Sequence, residues 1–303
     1  MSWRRGSAVV GTLAVLAATP AAAAAQNFDT VQVRSVKAGE GVYMLTGLGG
    51  NIGVSVGGDG VILVDDQYAP LTDKIRAAVA AISSGPIRFV LNTHWHFDHT
   101  GGNENLGKAG VLIMAHDNVR RRMSVGQFIE ALGRQEPPSP QAALPVVTFT
   151  DAVTVYLNGD SINAFHVAPA HTDGDAIVWF RRANVVHMGD TFFNGRYPFV
   201  DLSSGGSVNG VIAAADRVLA IADGNTRIIP GHGPLGDRAA LLAYRTMLVT
   251  IRGRINEAVA AGRTLAQVQA AKPTAEFDAA WGTGRITPAL FVELLYQDLS
   301  RRN

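Results

Sequence analysis

Between positions 93 and 103 the chain reads Thr-His-Trp-His-Phe-Asp-His-Thr-Gly-Gly-Asn, and no other stretch constrains its fold so tightly. Four donor side chains, His94, His96, Asp98 and His99, crowd together there. Imidazole and carboxylate bind zinc at about 2.0–2.2 Å. Side chains two apart in extended backbone share a face, so His94 and His96 can grip one ion together. Asp98 and His99 lie further along and reach for a second ion. The apolar run at 87–91 reads as a short strand, which sets the cluster just past a strand end. Gly101-Gly102 is expected to turn the backbone sharply away from the donors. The whole chain holds 8 histidines. A chance match to this pattern is expected in roughly one such chain in several thousand.

The 303 residues are 47% hydrophobic and 17% charged, enough to bury a large core. A net charge of +1 gives no electrostatic reason to expect a nucleic-acid partner. The absence of cysteine excludes disulfides, a thiol nucleophile and any thiolate metal site.

The N-terminus speaks to compartment. Arg4 and Arg5 precede an apolar run at 8–18, and Ala23 and Ala25 form an A-x-A pattern. That is the layout of a cleavable secretory signal over residues 1–25. The run falls short of the ~20 residues a membrane span needs. Cleavage would leave Gln26 first, export the protein to the periplasm and leave no stable membrane insertion. Arg4-Arg5 alone is weak grounds for a twin-arginine route.

Residues 26–303 read as one domain. Strands are expected at 31–36, 41–46, 52–56, 61–64 and 87–91, with a hairpin turn at Gly57-Gly58-Asp59-Gly60. A helix is expected at 71–82. A strand at 111–115 and an amphipathic helix at 118–132 follow, then a proline-bearing loop at 135–144. Further strands are expected at 146–149, 153–157, 162–167, 176–180, 185–188 and 227–229. A helix is expected at 208–221, with Ser207 as its N-cap. Helices are expected from about 237 to the end. Strands then helix, repeated once, suggest an α/β architecture: an αββα sandwich of two mixed sheets, face to face, with helices outside.

The chain resembles the metallo-β-lactamase superfamily from about Gly41 to Gly233. The resemblance rests on His94, His96, Asp98 and His99, on His171 in Pro-Ala-His-Thr-Asp-Gly-Asp, on Asp190 in Met-Gly-Asp-Thr and on His232 in Pro-Gly-His-Gly. It implies that fold and two zinc ions per chain. His94, His96 and His171 would hold the first zinc, and Asp98, His99 and His232 the second. Asp190 would bridge them. Two zincs about 3.5–4 Å apart can share a hydroxide that attacks a carbonyl, with Asp98 orienting it as a catalytic residue. His116, His166 and His187 are expected to support structure.

The resemblance divides on substrate, which in either case is a small molecule. Zinc β-lactamases carry cysteine or serine where this chain has Asp190. That aspartate is typical of thioesterase, lactonase and phosphodiesterase branches. His171-Thr172-x-x-Asp175 followed by Val178-Trp179, together with export, favours β-lactams. β-Lactam hydrolysis is the best single expectation. A lactonase, esterase or thioesterase like glyoxalase II is the alternative. A phosphodiesterase, a non-catalytic metal-binding protein and a di-iron redox variant rank lower. Phe193 stands where one β-lactamase subclass has a lysine that grips the antibiotic's carboxylate. Arg196 nearby offers a cation, and Phe193 and Tyr197 an apolar wall. Residues 117–144, with Arg120, Arg121 and Arg122, are read either as a cap over the site or as a solvated surface.

Overall fold

The computed structural model describes residues 27–301. The expected signal at 1–25 lies outside the described residues.

Strands β1 (Arg34–Gly39), β2 (Val42–Thr46), β3 (Ile52–Gly57) and β4 (Gly60–Val64) form an antiparallel meander. After helix α1 (Thr72–Ala80), strand β5 (Ile87–Leu91) joins β4 in parallel. Helices α2 (Phe97–Thr100) and α3 (Asn103–Lys108) lead to β6 (Leu112–His116). The sheet closes on β9 (Val147–Phe149), giving seven strands in the order β1-β2-β3-β4-β5-β6-β9. Between β6 and β9 come α4 (Asp117–Met123) and a small hairpin, β7 (Gln127–Ile129) with β8 (Arg134–Glu136).

A second sheet holds β10 (Ala152–Leu157), β11 (Asp160–His166), β12 (Ala176–Phe180), β13 (Val185–His187), β14 (Arg227–Ile229) and β15 (Gly236–Asp237), in that order. Helix α5 (Val208–Ile221) crosses between β13 and β14, which pair in parallel. Helices α6 (Arg238–Ala260), α7 (Leu265–Ala270), α8 (Asp278–Trp281) and α9 (Pro288–Ser300) complete the described chain.

Strand alternation builds three layers of core. In β12, Ala176, Val178 and Phe180 face the other sheet, and Ile177 faces the helices. In β4, Ile62 and Val64 face inward, and Val61 and Leu63 meet Ile75 and Val79 of α1. Both faces of these strands are apolar because both are covered. The order is helix, sheet, sheet, helix, as the sequence implies.

Three local expectations need correction. The first strand starts at Arg34, not Val31. The tight turn at Glu40-Gly41, with Gly41 at φ +64°, pairs Gly39 with Val42, and a register shift between Lys37 and Gly39 then sets Arg34 opposite Thr46. The helix expected at 118–132 stops at Met123. There the Ser124 hydroxyl bonds Arg120 O, and Val125-Gly126 follow, both poor helix formers. The chain then forms β7 and β8, the latter running into the stretch read as loop. Finally, Ser207 holds the N-cap position of α5 without making a cap bond. The Val208 N–H donates instead to Asp298 Oδ2 at 2.8 Å.

His116 caps α4 by accepting from the Asn118 N–H at 3.2 Å, and its ring stacks on His166 with centroids 3.9 Å apart. Burial, then the neighbouring His166 ring, holds its pKa below the usual histidine value. The unfolded chain therefore takes up a proton near pH 6.5 that the native ring resists. The associated stability is present above that pH and lost as pH falls through it. His116→Gln is expected to flatten the decline of Tm between pH 7.5 and 5.5. Parallel Tm–pH curves for the two proteins would exclude this role.

Candidate metal centre

The chain-end sides of the strands gather at one rim. The loop after β5 carries His94 and His96, and α2 carries Asp98 and His99. The loop after β11 carries His171, the turn after β13 Asp190, and the turn after β14 His232. The first sheet thus brings four donors and the second sheet three. Asn51 ties the halves together. Its amide side chain donates to Pro230 O and Gly233 O, both at 2.9 Å, and its N–H donates to Gly231 O at 2.7 Å. The neutral His187 ring, held below its usual pKa mainly by burial, adds a bond to Asn51 O at 3.1 Å.

All seven expected donors converge. The ligand atoms of His94, His96 and His171 lie within 4.8 Å of one another, and so do those of Asp98, His99 and His232. Asp190 sits between the two groups. Its Oδ1 is 3.1 Å from His99 Nε2, and its Oδ2 is 3.3 Å from His232 Nε2 and 3.6 Å from His171 Nε2. Asp98 Oδ2 is 3.4 Å from His232 Nε2.

The outer partners decide which ring nitrogens are bare. His171 Nδ1 bonds Phe199 O at 2.7 Å, and a carbonyl only accepts, so Nδ1 carries the proton. By the same reasoning His99 Nδ1 donates to Asp65 Oδ2 at 2.8 Å and His96 Nε2 to Asp201 Oδ2 at 3.0 Å. The Thr93 hydroxyl donates to Asp65 Oδ2 at 2.8 Å, leaving it to accept from His94 Nδ1 at 3.0 Å. Four ring nitrogens, His94 Nε2, His96 Nδ1, His99 Nε2 and His171 Nε2, therefore face inward as the ligand atoms. His171 Nε2 faces His96 Nδ1 at 2.8 Å, and His94 Nε2 and Asp190 Oδ1 are buried with no hydrogen-bond partner. Acceptors opposed at such distances need a cation between them, and N/O donors in this number suit zinc.

Electrostatics agree. Burial first, with the neighbouring rings, holds His94 well below its usual pKa, and burial lowers His171 to about 4. Both are neutral ligands at pH 7. Burial alone would lower His99, but Asp190, Asp98 and Asp65 override it and raise it well above the usual value. Burial alone would raise Asp190, but His232, His99 and His171 hold it well below the carboxylate range. The centre demands positive charge.

Two glycines make room for this packing. A Cβ on Gly50 would sit 2.1 Å from His99 Cε1, and one on Gly231 would sit 2.0 Å from Asp190 Oδ1. Gly101 and Gly102 act differently from expectation. Gly101 (φ −65°) and Gly102 (φ −78°) are helical, not a sharp turn. They are needed for close approach, since Cβ atoms there would meet Gln67 O at 2.7 Å and Asp66 O at 2.9 Å.

An open cavity of about 570 Å³ ends on His96, Asp98, Asp190 and His232. Phe193 stacks on the His232 ring at 5.2 Å and lines the cavity. Arg196 lines it too. Tyr197 is among the lining residues, and its hydroxyl donates to Asp278 Oδ1 at 2.8 Å. From 117–144 only Ile129 and Leu132 reach the lining. Arg120, Arg121 and Arg122 are occupied elsewhere, bonding Pro145 O, Asn118 and Asp173.

Asp65 and Asp201 were not singled out in the sequence. The only hint of Asp65 is an acidic doublet closing the buried strand β4. Asp65 adopts φ +65°, a left-handed conformation costing roughly 1–3 kcal/mol in a non-glycine residue. Its carboxylate accepts from the Thr93 N–H, the Thr93 hydroxyl and His99 Nδ1. Asp65→Asn is expected to weaken metal binding about 10–100-fold, the usual loss when such an outer partner is removed. Competition against a chromogenic chelator measures this, and an unchanged affinity would deny Asp65 the role.

The sequence profile of the metallo-β-lactamase superfamily matches residues 45–232, more than half of the chain. A metallo-β-lactamase type 2 from Bacteroides fragilis is 25% identical over 166 residues, covering 55% of this chain and 58% of that enzyme. A hydroxyacylglutathione hydrolase from Nitrosococcus oceani is 30% identical over 166 residues, covering 54% and 55%. The chain thus spans little more than half the length of these two relatives. The metallo-β-lactamase from Pontibacter korlensis superposes with a TM-score of 0.58 at 18% identity, over 72% of this chain and 99% of that one, a likeness of fold. With its αββα layers and a rim of five histidines and two aspartates, the chain belongs to the metallo-β-lactamase superfamily.

Proposed function

We propose that the chain is a dinuclear zinc hydrolase that opens a cyclic amide, a β-lactam first among them. The reading is carried by one observation: seven donor side chains converge at the base of an open cavity, four of them, His96, Asp98, Asp190 and His232, lining it. His94, His96 and His171 would hold one zinc, Asp98, His99 and His232 the other, and Asp190 both. Bound there, the metals would supply an activated water and polarise the substrate carbonyl. The protein's own part is orientation. Thr93, Asp65, Asp201 and Phe199 O lock four ring tautomers, so the donors are set before metal or substrate arrives. Asp98, on the cavity floor and the most exposed carboxylate of the set, is placed to accept a proton from the attacking water.

Asp190 favours a second reading, a lactone or thioester substrate, supported by the hydroxyacylglutathione hydrolase relative. Zinc-loaded protein beginning at Gln26 is to be assayed on penicillins, cephalosporins and carbapenems, then on lactones and acyl thioesters, with chelated controls. Chelator-sensitive β-lactam turnover above about 10⁴ M⁻¹s⁻¹ is expected. No β-lactam turnover by fully loaded protein, with turnover of a lactone or thioester, would overturn the first reading for the second. Residues 1–25 are proposed to direct export, tested by N-terminal sequencing of the secreted form.

A further inference from the structure

We propose that Arg122 is a positioning residue that joins the loop of His171 to the hairpin β7–β8, so that filling the metal centre firms one wall of the cavity. This rests on the metal-binding part of the reading above and not on the substrate. Among the described residues, the hairpin strands pair with each other and with neither large sheet. They nonetheless deliver Ile129 and, from the turn between them, Leu132 to the cavity. A two-stranded hairpin is marginal by itself in water. Its bonds to the body of the protein therefore decide how firmly that wall stands.

Those bonds lead to segments that carry donors or their outer partners. Arg122 lies near the end of α4. Its Nε and Nη2 donate to Asp173 Oδ1 and Oδ2 at 2.7 and 2.8 Å, two residues past His171. Its Nη1 donates to Gln127 Oε1 at 3.0 Å, and Gln127 Nε2 returns a bond to Arg122 O at 3.2 Å. The Glu130 N–H donates to Ser203 Oγ at 3.4 Å, and the Ser203 hydroxyl donates to Asp201, the partner of His96. Arg134 sets its guanidinium carbon 3.3 Å from the ring centroid of Phe97, which stands between His96 and Asp98 in the chain. Asp173 is a fixed platform for Arg122. Its N–H donates to Ser204 O at 2.9 Å, and its carbonyl accepts from Asn118 Nδ2 at 2.7 Å. The ion pair is bidentate, and its side chains are only 18% and 28% exposed, the setting in which such a pair holds best. An arginine can fork a carboxylate and still offer a third nitrogen to an amide, which a lysine cannot.

The test is amide hydrogen exchange of the chain from Gln26, with and without zinc, read by mass spectrometry over the hairpin, over 171–175 and over strand β10, which carries no donor and serves as reference. In the wild type, zinc is expected to slow exchange in the hairpin about 10-fold relative to β10, the order of a charged hydrogen bond. Arg122→Met keeps length and loses the fork. It is expected to cut that slowing to about 3-fold or less with zinc still bound. Gln127→Leu, which frees the hairpin and leaves the Asp173 pair intact, should do the same and leave 171–175 as protected by zinc as in the wild type. A merely structural loss would speed the hairpin equally with and without zinc, and the ratio would not move. A wild-type hairpin indifferent to zinc, or full slowing kept in Arg122→Met, overturns the proposal. If Arg122→Met does not fold, Gln127→Leu decides by the same criterion. Zinc content of the same samples by native mass spectrometry separates the two readings. Protein that takes up no zinc fails the metal reading and the link with it, whereas zinc-bound protein with an indifferent hairpin fails the link alone.

Discussion

On the proposed dinuclear reading, Asp190→Ala is expected to cut bound zinc from two ions per chain to one or fewer and to lower kcat/KM by more than about 100-fold, beyond what losing an outer partner costs. The carboxylate stands between four rings, with His99 at 3.1 Å, His232 at 3.3 Å, His171 at 3.6 Å and His94 at 4.0 Å. The histidines keep it ionised despite burial. Without it, bare nitrogens face one another with little negative charge to balance an added cation. Asp190→Asn should fall nearly as far, because shape is kept and charge is not. Metal content by mass spectrometry and turnover should drop together. A variant with two ions and full activity would remove Asp190 from the centre.

Gly231→Ala is expected to lower Tm by about 6–12 °C, equivalent to roughly 3 kcal/mol, the upper end for overpacking. The added Cβ would meet Asp190 Oδ1 at 2.0 Å, Gly189 C at 2.6 Å and Gly189 O at 2.7 Å. Two of these atoms are backbone and cannot swing aside. The Gly231 N–H donates to Gly189 O at 2.7 Å and Phe192 O at 3.0 Å, and its carbonyl accepts from Asn51, so the loop is held on every side. Bound metal should fall as well, since Asp190 and His232 flank the insult. A melting point within a degree or two of the wild type, with metal retained, would show that the loop yields more than its bonding implies.

The cluster at 94–99 was legible because its signal is local. A short apolar strand running straight into closely spaced histidines and an aspartate carries its meaning within a few residues. Strands β12 and β14 and helix α5 fall where periodicity puts them. The hairpin β7–β8 was not legible, since the apolar spacing at 118–132 suits a helix and only contacts from distant segments decide otherwise. Asp65 and Asp201 were hidden for a related reason. A carboxylate in a loop means little until the ring it meets, 34 or 105 residues away, is known.

The donors are split four and three between the two sheets, with Asn51 holding the seam. On the proposed reading, each bound ion would act as a rivet as well as a reagent. Metal that binds only the closed sandwich stabilises it by RT ln(1 + [M]/Kd), so melting temperature should climb with free zinc. Substitutions far from the rim that let the sheets slide apart would register as lost metal affinity. Stripping the metal would in turn register as a folding defect, on either side of the same equilibrium.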